Sequence, residues 1–287
     1  MTDRQSQLRR VLATDLDGTL IPLADNEQNR RDLARLQDAL NANDVEIVFV
    51  TGRHLESVLE VARSEQLPLP NWIICDVGTS IYKRDTSSDT WNFAHVKDYQ
   101  DHQREIIAPL PMDKLRELLE PVSGLRLQEE EKQGPYKLSF YADANRLEEL
   151  VGEIQKLFDR ASAPYSMIHS VDPFNGDGLI DLLPRDVSKA HALSWWVEHV
   201  GLHEDNIVFA GDSGNDLAAL SAGYRAIVVG NADRSVAQQA QEAHASAGFR
   251  DRLCLAEAPA TSGVLEGCRW FGLIGNPATP NRQSELQ

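Results

Sequence analysis

The chain has 287 residues, 42% hydrophobic and 25% charged, with 28 basic against 44 acidic side chains and a formal net charge of −16. That length and mix describe a globular chain of one large or two modest domains, and the acidic balance excludes nucleic acid and anionic membrane as partners. No apolar run approaches the ~20 residues of a membrane span, the polar start 1–10 is no signal peptide, and Cys75, Cys254 and Cys268 lack metal-ligand spacing, which points to reduced thiols and a cytoplasmic setting.

The first predicted strand, residues 11–14, runs into Asp15-Leu16-Asp17-Gly18-Thr19. Two carboxylates two residues apart, with a glycine that lets the backbone turn, fall where an open α/β sheet does its chemistry, beyond the carboxyl end of a strand. They would repel each other unless a cation lay between them, and a hard divalent ion such as Mg2+ takes oxygen ligands. Alone, the motif reads equally as a solvated turn. A helix is predicted near 30–41. A second apolar strand, 45–50, leads into Thr51-Gly52-Arg53, a hydroxyl with backbone amides that alone would be an ordinary helix cap and turn. A helix near 55–65 and a strand at 72–76 extend a right-handed parallel arrangement.

The alternation then breaks. Between about 85 and 169 the pattern predicts a helix at 112–119, a strand at 125–129, alternation over 136–141, a strongly amphipathic helix at 145–160 and a strand at 165–170. The parallel arrangement is predicted to resume with a strand at 179–183. Ser188-Lys189 opens a helix near 189–200; alone, Lys189 reads as a solvated lysine. The strand 207–210 runs into Gly211-Asp212-Ser213-Gly214-Asn215-Asp216, a second acidic, glycine-bearing loop after an apolar run. Periodic segments follow at 217–222 and 224–229, then a last helix near 263–271, and the polar tail 276–287 is predicted disordered.

At these four strand ends the chain resembles the haloacid dehalogenase superfamily of phosphatases and phosphotransferases. Its motifs are an Asp-x-Asp-x-Thr loop, a Thr or Ser strand end, a Lys and a Gly-Asp-x-x-x-Asp loop. The resemblance implies an α/β fold: a doubly wound parallel-sheet (Rossmann-like) core in two parts, 1–84 and 170–275, with an inserted smaller α+β cap domain, 85–169, that governs specificity. It implies Asp15 as the nucleophile that becomes an aspartyl phosphate, and Asp17 as the acid for the leaving oxygen and the base for water. Thr51, Gly52, Arg53, Lys189 and Asn215 would hold the phosphoryl group. Asp15, the Asp17 carbonyl and Asp212 would bind Mg2+, with Asp216 supporting them. Positive charge is needed there because a phosphoryl group in transfer spreads negative charge over its oxygens.

Within the superfamily the chain is most similar to the sucrose-phosphate phosphatases. The likeness lies in Thr51-Gly52-Arg53, Gly78-Thr79-Ser80-Ile81-Tyr82, Pro135-Tyr136-Lys137-Leu138-Ser139, Asp181-Leu182-Leu183-Pro184 and the 211–216 loop, and it extends over 11–271. It implies a small-molecule sugar phosphate as substrate, with sucrose 6-phosphate leading and phosphates of mannosylfructose, glucosylglycerol or trehalose as alternatives; a sugar phosphomutase is a further one. A glycosyltransferase of the same pathway is implied as a partner, and the chain is read as a monomer. In the cap, Gln133 and Lys137 can donate to sugar hydroxyls and Tyr136 can stack on a pyranose face, though each reads equally as an edge-strand or surface residue. The 172–178 loop is longer, and the approach to Tyr136 more acidic, than that family leads one to expect, which bears on the sugar more than on the reaction.

Overall fold

The structure is a computed structural model that describes residues 9–87, 91–172 and 175–275. The tail 276–287, and Pro173 and Phe174 of the 172–178 loop, lie outside the described residues. In chain order the first elements are β1 (Arg10–Thr14), α1 (Glu27–Ala42), β2 (Val45–Val50), α2 (Leu55–Ser64), β3 (Trp72–Cys75), β4 (Ser80–Arg84) and β5 (Phe93–His95). Next come α3 (Lys97–Ile107), α4 (Met112–Leu119), β6 (Arg126–Leu127), β7 (Leu138–Ala142), α5 (Leu147–Ala161), β8 (Tyr165–Val171) and β9 (Gly178–Pro184). The last are α6 (Lys189–Val200), β10 (Ile207–Gly211), α7 (Leu217–Leu220), β11 (Arg225–Val228), α8 (Arg234–Ala247), β12 (Leu253–Leu255) and α9 (Ala260–Trp270). By internal contacts the chain divides into two compact units, one of Met1–Phe49, Ala62–Pro70 and Val197–Gln287, the other of Val50–Val61 and Asn71–Trp196.

The first unit carries a parallel array in the order β12-β11-β10-β1-β2. Its central strands are buried on both faces and read as unbroken apolar runs, because helices cover a parallel sheet on each side. β1 lies between β10 and β2, with Thr14 opposite both Ala210 and Phe49. The chain leaves β1 toward β2 on one side and builds β10, β11 and β12 on the other, so the winding reverses between β1 and β10. That reversal opens a crevice beyond the carboxyl ends of those two strands. α1 begins where the Asn26 side chain accepts from the amides of Gln28 and Asn29, and it buries Leu33, Leu36 and Leu40 at helical spacing. α9 approaches β11 so closely that a Cβ on Gly267 would fall 2.5 Å from Ile227 Cδ1.

In the second unit, β3, β4 and β5 pair antiparallel, and a separate antiparallel sheet runs β6-β7-β9-β8. α4 and α5 bury Leu115, Leu119, Leu150 and Ile154 with Leu138, Phe140, Ile180 and Leu182 of that sheet. This corrects one expectation. The segment 179–183, read as a returning core strand, lies in β9, which pairs antiparallel with β7 (Leu138 opposite Leu182) and β8 (Tyr165 opposite Pro184). Along β9, Ile180 and Leu182 are buried while Leu179 and Asp181 are half-buried, the period of two of a sheet packed on one face. The expected strand 125–129 shrinks to Arg126–Leu127, and Glu130–Lys132 forms a 3-10 turn. No helix among the described residues is long and apolar enough to cross a membrane, and the three cysteines are free and buried.

Candidate active site

In the first unit the crevice between β1 and β10 is lined by acids. Asp15 leaves β1 with its amide still donating to Ala210 O at 2.9 Å, and it is buried. Gly18 turns the chain back at φ 72, and a Cβ there would fall 2.3 Å from Asp212 Oδ2, so no larger residue fits the loop. Asn231 Nδ2 donates to Gly18 O at 2.8 Å, and Thr19 Oγ1 donates to Asp212 Oδ1 at 3.1 Å. Asp216 is fully buried, and its Oδ2 accepts from Ser213 Oγ (2.9 Å), Ser213 N (3.1 Å) and Asp212 N (3.3 Å). Asn215 Oδ1, 2.8 Å from Ser213 Oγ, is the alternative acceptor for that hydroxyl.

Asp15, Asp212 and Asp216 each bring a carboxylate oxygen within 4.8 Å of the others. At an effective dielectric of ~20, two like charges at that separation repel by roughly 3 kcal/mol. An all-oxygen donor set of this charge suits a hard divalent cation and no soft one. Asp17, expected among the metal-binding residues through its carbonyl, is exposed, and its carboxylate is not one of the three that cluster.

Thr51, Gly52, Arg53 and Lys189 belong to the second unit. Thr51 follows β2 directly and is fully buried; its amide donates to Ile74 O (2.8 Å), its carbonyl accepts from Val77 N (3.2 Å), and its Oγ1 accepts from Arg53 N (3.2 Å). The Thr51 hydroxyl thus keeps its hydrogen for donation while its oxygen is oriented by a backbone amide. Arg53 Nη1 donates to Ser57 Oγ at 2.7 Å. Lys189 opens α6 and is 1% exposed, which removes the reading of a solvated surface lysine: a buried ammonium persists only where charge compensates it.

The expected sugar-reading residues fare differently. Gln133 Nε2 donates to both Gln128 O and Ser139 O at 3.0 Å, and its Oε1 accepts from Ser139 N at 2.9 Å. Its amide group is bonded to backbone, so it fastens a loop to β7. Tyr136 packs in the apolar core of the second unit, buried where an exposed residue was expected. Lys137 is buried, 3.5 Å from Asp76 Oδ1. Asp76 was not anticipated, because a lone acid after an apolar strand carries no motif. Burial pushes its carboxyl up to about 6, against the pull of Lys137 and His54 and with Asp181 adding to the rise.

The family model described as sucrose-6F-phosphate phosphohydrolase matches residues 8–272. A HAD-like hydrolase of Nitrosococcus oceani is 35% identical over 234 residues, which cover 80% of this chain and 61% of that protein. The mannosylfructose-phosphate phosphatase of Agrobacterium fabrum is 29% identical over 272 residues, covering 92% of this chain and 97% of that enzyme. Sucrose-phosphatase 1 of Nicotiana tabacum is 28% identical over 246 residues, 83% of this chain, and the chain spans only 54% of its length. Among solved structures, the sucrose-phosphatase of a Synechocystis species, in complex with sucrose and phosphate, superposes with a TM-score of 0.71 at 22% identity, over 93% of this chain and 98% of that one. That likeness shows a shared fold.

Proposed function

The chain belongs to the sucrose-6F-phosphate phosphohydrolase family, and from that membership we propose that it is a Mg2+-dependent phosphatase of a sugar phosphate, with sucrose 6-phosphate the first candidate substrate. The observation that carries the chemistry is the convergence of Asp15, Asp212 and Asp216 at the ends of β1 and β10. Asp15 and Asp212 would hold the cation, with the Asp17 carbonyl completing the protein's ligands and Asp216 orienting the loop. Bound there, Mg2+ supplies the positive charge that lets a carboxylate approach a phosphate dianion.

An Asp15 oxygen attacks phosphorus and the bond to the sugar oxygen breaks, while Asp17 gives that oxygen its proton. Asp17 then takes a proton from water, which attacks the aspartyl phosphate and releases inorganic phosphate with Asp15 restored. The Thr51 hydroxyl, the Gly52 amide, Arg53, Asn215 and the Lys189 ammonium are assigned to the phosphoryl oxygens. The inserted segment 85–169 is assigned to the leaving group.

Mannosylfructose phosphate is the second reading, favoured by the alignment with the Agrobacterium enzyme over nearly its whole length. Phosphate release from a panel of sucrose, mannosylfructose, glucosylglycerol and trehalose phosphates, with Mg2+ and no activating bisphosphate, decides between them. Release without a bisphosphate also separates a phosphatase from a phosphomutase. Absence of release across the panel would overturn the reading.

A further inference from the structure

The three residues after β3 all stand at positive φ. Asp76 and Val77 are consecutive non-glycine residues at φ 51 and φ 58, and Gly78 follows at φ 99. Left-handed backbone is disfavoured for any residue with a side chain, so such a pair persists only where surroundings over-determine it. Here Asp76 N donates to Arg53 O at 2.9 Å, Val77 N to Thr51 O at 3.2 Å, and Tyr99 Oη to Gly78 O at 2.5 Å. A Cβ on Gly78 would lie 2.2 Å from Ser188 O. The turn is therefore clamped between the backbone of the Thr51 segment and that of the Lys189 segment.

Into this clamp the chain places a charge that stability alone does not call for. Asp76 is 5% exposed, and its Oδ1 accepts no hydrogen bond among the described residues. The ammonium of Lys137, itself 6% exposed, stands 3.5 Å away. A buried ion pair of this kind is commonly less stabilising than apolar side chains of the same volume. The other charges facing Asp76 are His54, ahead of α2, and Asp181 of β9, which accepts from Ser139 Oγ at 2.5 Å. Tyr82 and the buried thiol of Cys75, both of which Asp76 helps to push up, are further titratable neighbours.

We propose that Asp76 is a positioning residue for substrate specificity: its carboxylate fixes the Lys137 ammonium beside the two phosphate-binding segments, so that this ammonium meets hydroxyls of the leaving group. The pairing with Oδ1 at 3.5 Å is an ion pair and not a hydrogen bond, so it holds the ammonium in place without using up one of its three donors. The proposal rests on the phosphatase reading above. It also has a consequence for pH. A carboxyl held near 6 loses its charge as the solution is acidified through that value, and Lys137 is then no longer fixed.

The test compares the best sugar phosphate of the panel with a small aryl phosphate. An aryl phosphate loses its second proton at lower pH than a sugar phosphate, so each KM is expressed as the concentration of the phosphate dianion, and the ratio is then free of the substrates' own ionisation. In the wild type that ratio is expected to rise as pH falls from 7.5 to 5, with its midpoint near 6. Asp76→Asn should raise KM for the sugar phosphate about tenfold, as for a lost hydrogen bond to a charged group, with kcat changed by less than about threefold. Its loss on the aryl phosphate should be at least about fivefold smaller, its ratio should be flat with pH, and Lys137→Gln should behave alike. Equal losses on both substrates, or a wild-type ratio flat from pH 7.5 to 5, would overturn the assignment; the second measurement needs no variant. Release from no sugar phosphate would instead overturn the phosphatase reading, and this role with it.

Discussion

A glycine decides whether the acidic cluster exists. With Gly18 2.3 Å short of Asp212 Oδ2 at its would-be Cβ, the first acidic loop folds directly onto the second. Asp15 is placed by β1 and Asp212 by β10, and these strands are neighbours in the sheet, so two remote pieces of sequence share one crevice. Asp15→Asn is expected to abolish phosphate release. Because it removes one of three mutually repelling carboxylates, it should also raise the chelator-treated protein's unfolding free energy by ~1–3 kcal/mol. Saturating Mg2+ should raise the wild-type Tm and raise that of Asp15→Asn less, since an ion stabilises only in proportion to its affinity for the folded form. A wild-type Tm indifferent to Mg2+ would contradict the metal assignment. Asp76 offers a linkage test in which sign matters. Its folded pKa, about 6, lies above the unfolded value, so the folded chain binds more protons in between. The stability this group contributes is complete below about pH 4 and is lost as pH rises through about 6, by on the order of 3 kcal/mol. Denaturant titrations should show wild type losing stability relative to Asp76→Asn across that window, and a constant difference would mean Asp76 is not raised.

At the scale of elements, the turn that carries Asp76 is as constrained as any helix. Gly78→Ala would put a methyl group 2.2 Å from the Ser188 carbonyl, at a φ of 99 that disfavours any side chain. That neighbour is backbone at the start of α6 and cannot rotate away. The variant is expected to lose at least ~2 kcal/mol by chemical denaturation and to lose turnover as well, because Lys189 is the next residue. Full activity at unchanged stability would mean the turn is looser than its contacts imply. The elements leading into the motif loops were legible in the sequence, since residues 11–13 of β1 and 207–210 of β10 are unbroken apolar runs and β2 is interrupted only at Glu46. β9 was not legible as to its partners: Leu179-Ile180-Asp181-Leu182-Leu183 is apolar enough for a parallel core strand, and only pairing with β7 and β8 settles its face. α3 and α8 were missed because the positions they bury, Tyr99, Gln103 and Ile107 in one and Val236, Ala240 and His244 in the other, are spaced as on a helix but include polar or small side chains that hide the hydrophobic period. The surroundings of Gln133 and Tyr136 differ from expectation for one reason. Side-chain polarity suggested exposure, whereas unpaired backbone groups near β7 claim the amide and an apolar core claims the ring.

The whole molecule sets a further condition on its proposed chemistry, because a chain of net charge −16 must attract a phosphate dianion. Cationic side chains at a phosphate site act over a few ångströms, whereas the summed acidic surface acts over the Debye length, ~30 Å at 0.01 M salt and ~8 Å at 0.15 M. At low ionic strength the approaching substrate therefore meets net repulsion before it meets the site. Raising salt between those limits, with Mg2+ kept saturating throughout, should screen the distant charges and leave the buried contacts nearly intact. We expect kcat/KM for the sugar phosphate to rise about two- to fivefold, with kcat unchanged because the bound complex is already past the repulsion. A fall in kcat/KM would mean that a locally positive field dominates despite the acidic surface, and the site's cations would then reach farther than the chain's net charge allows.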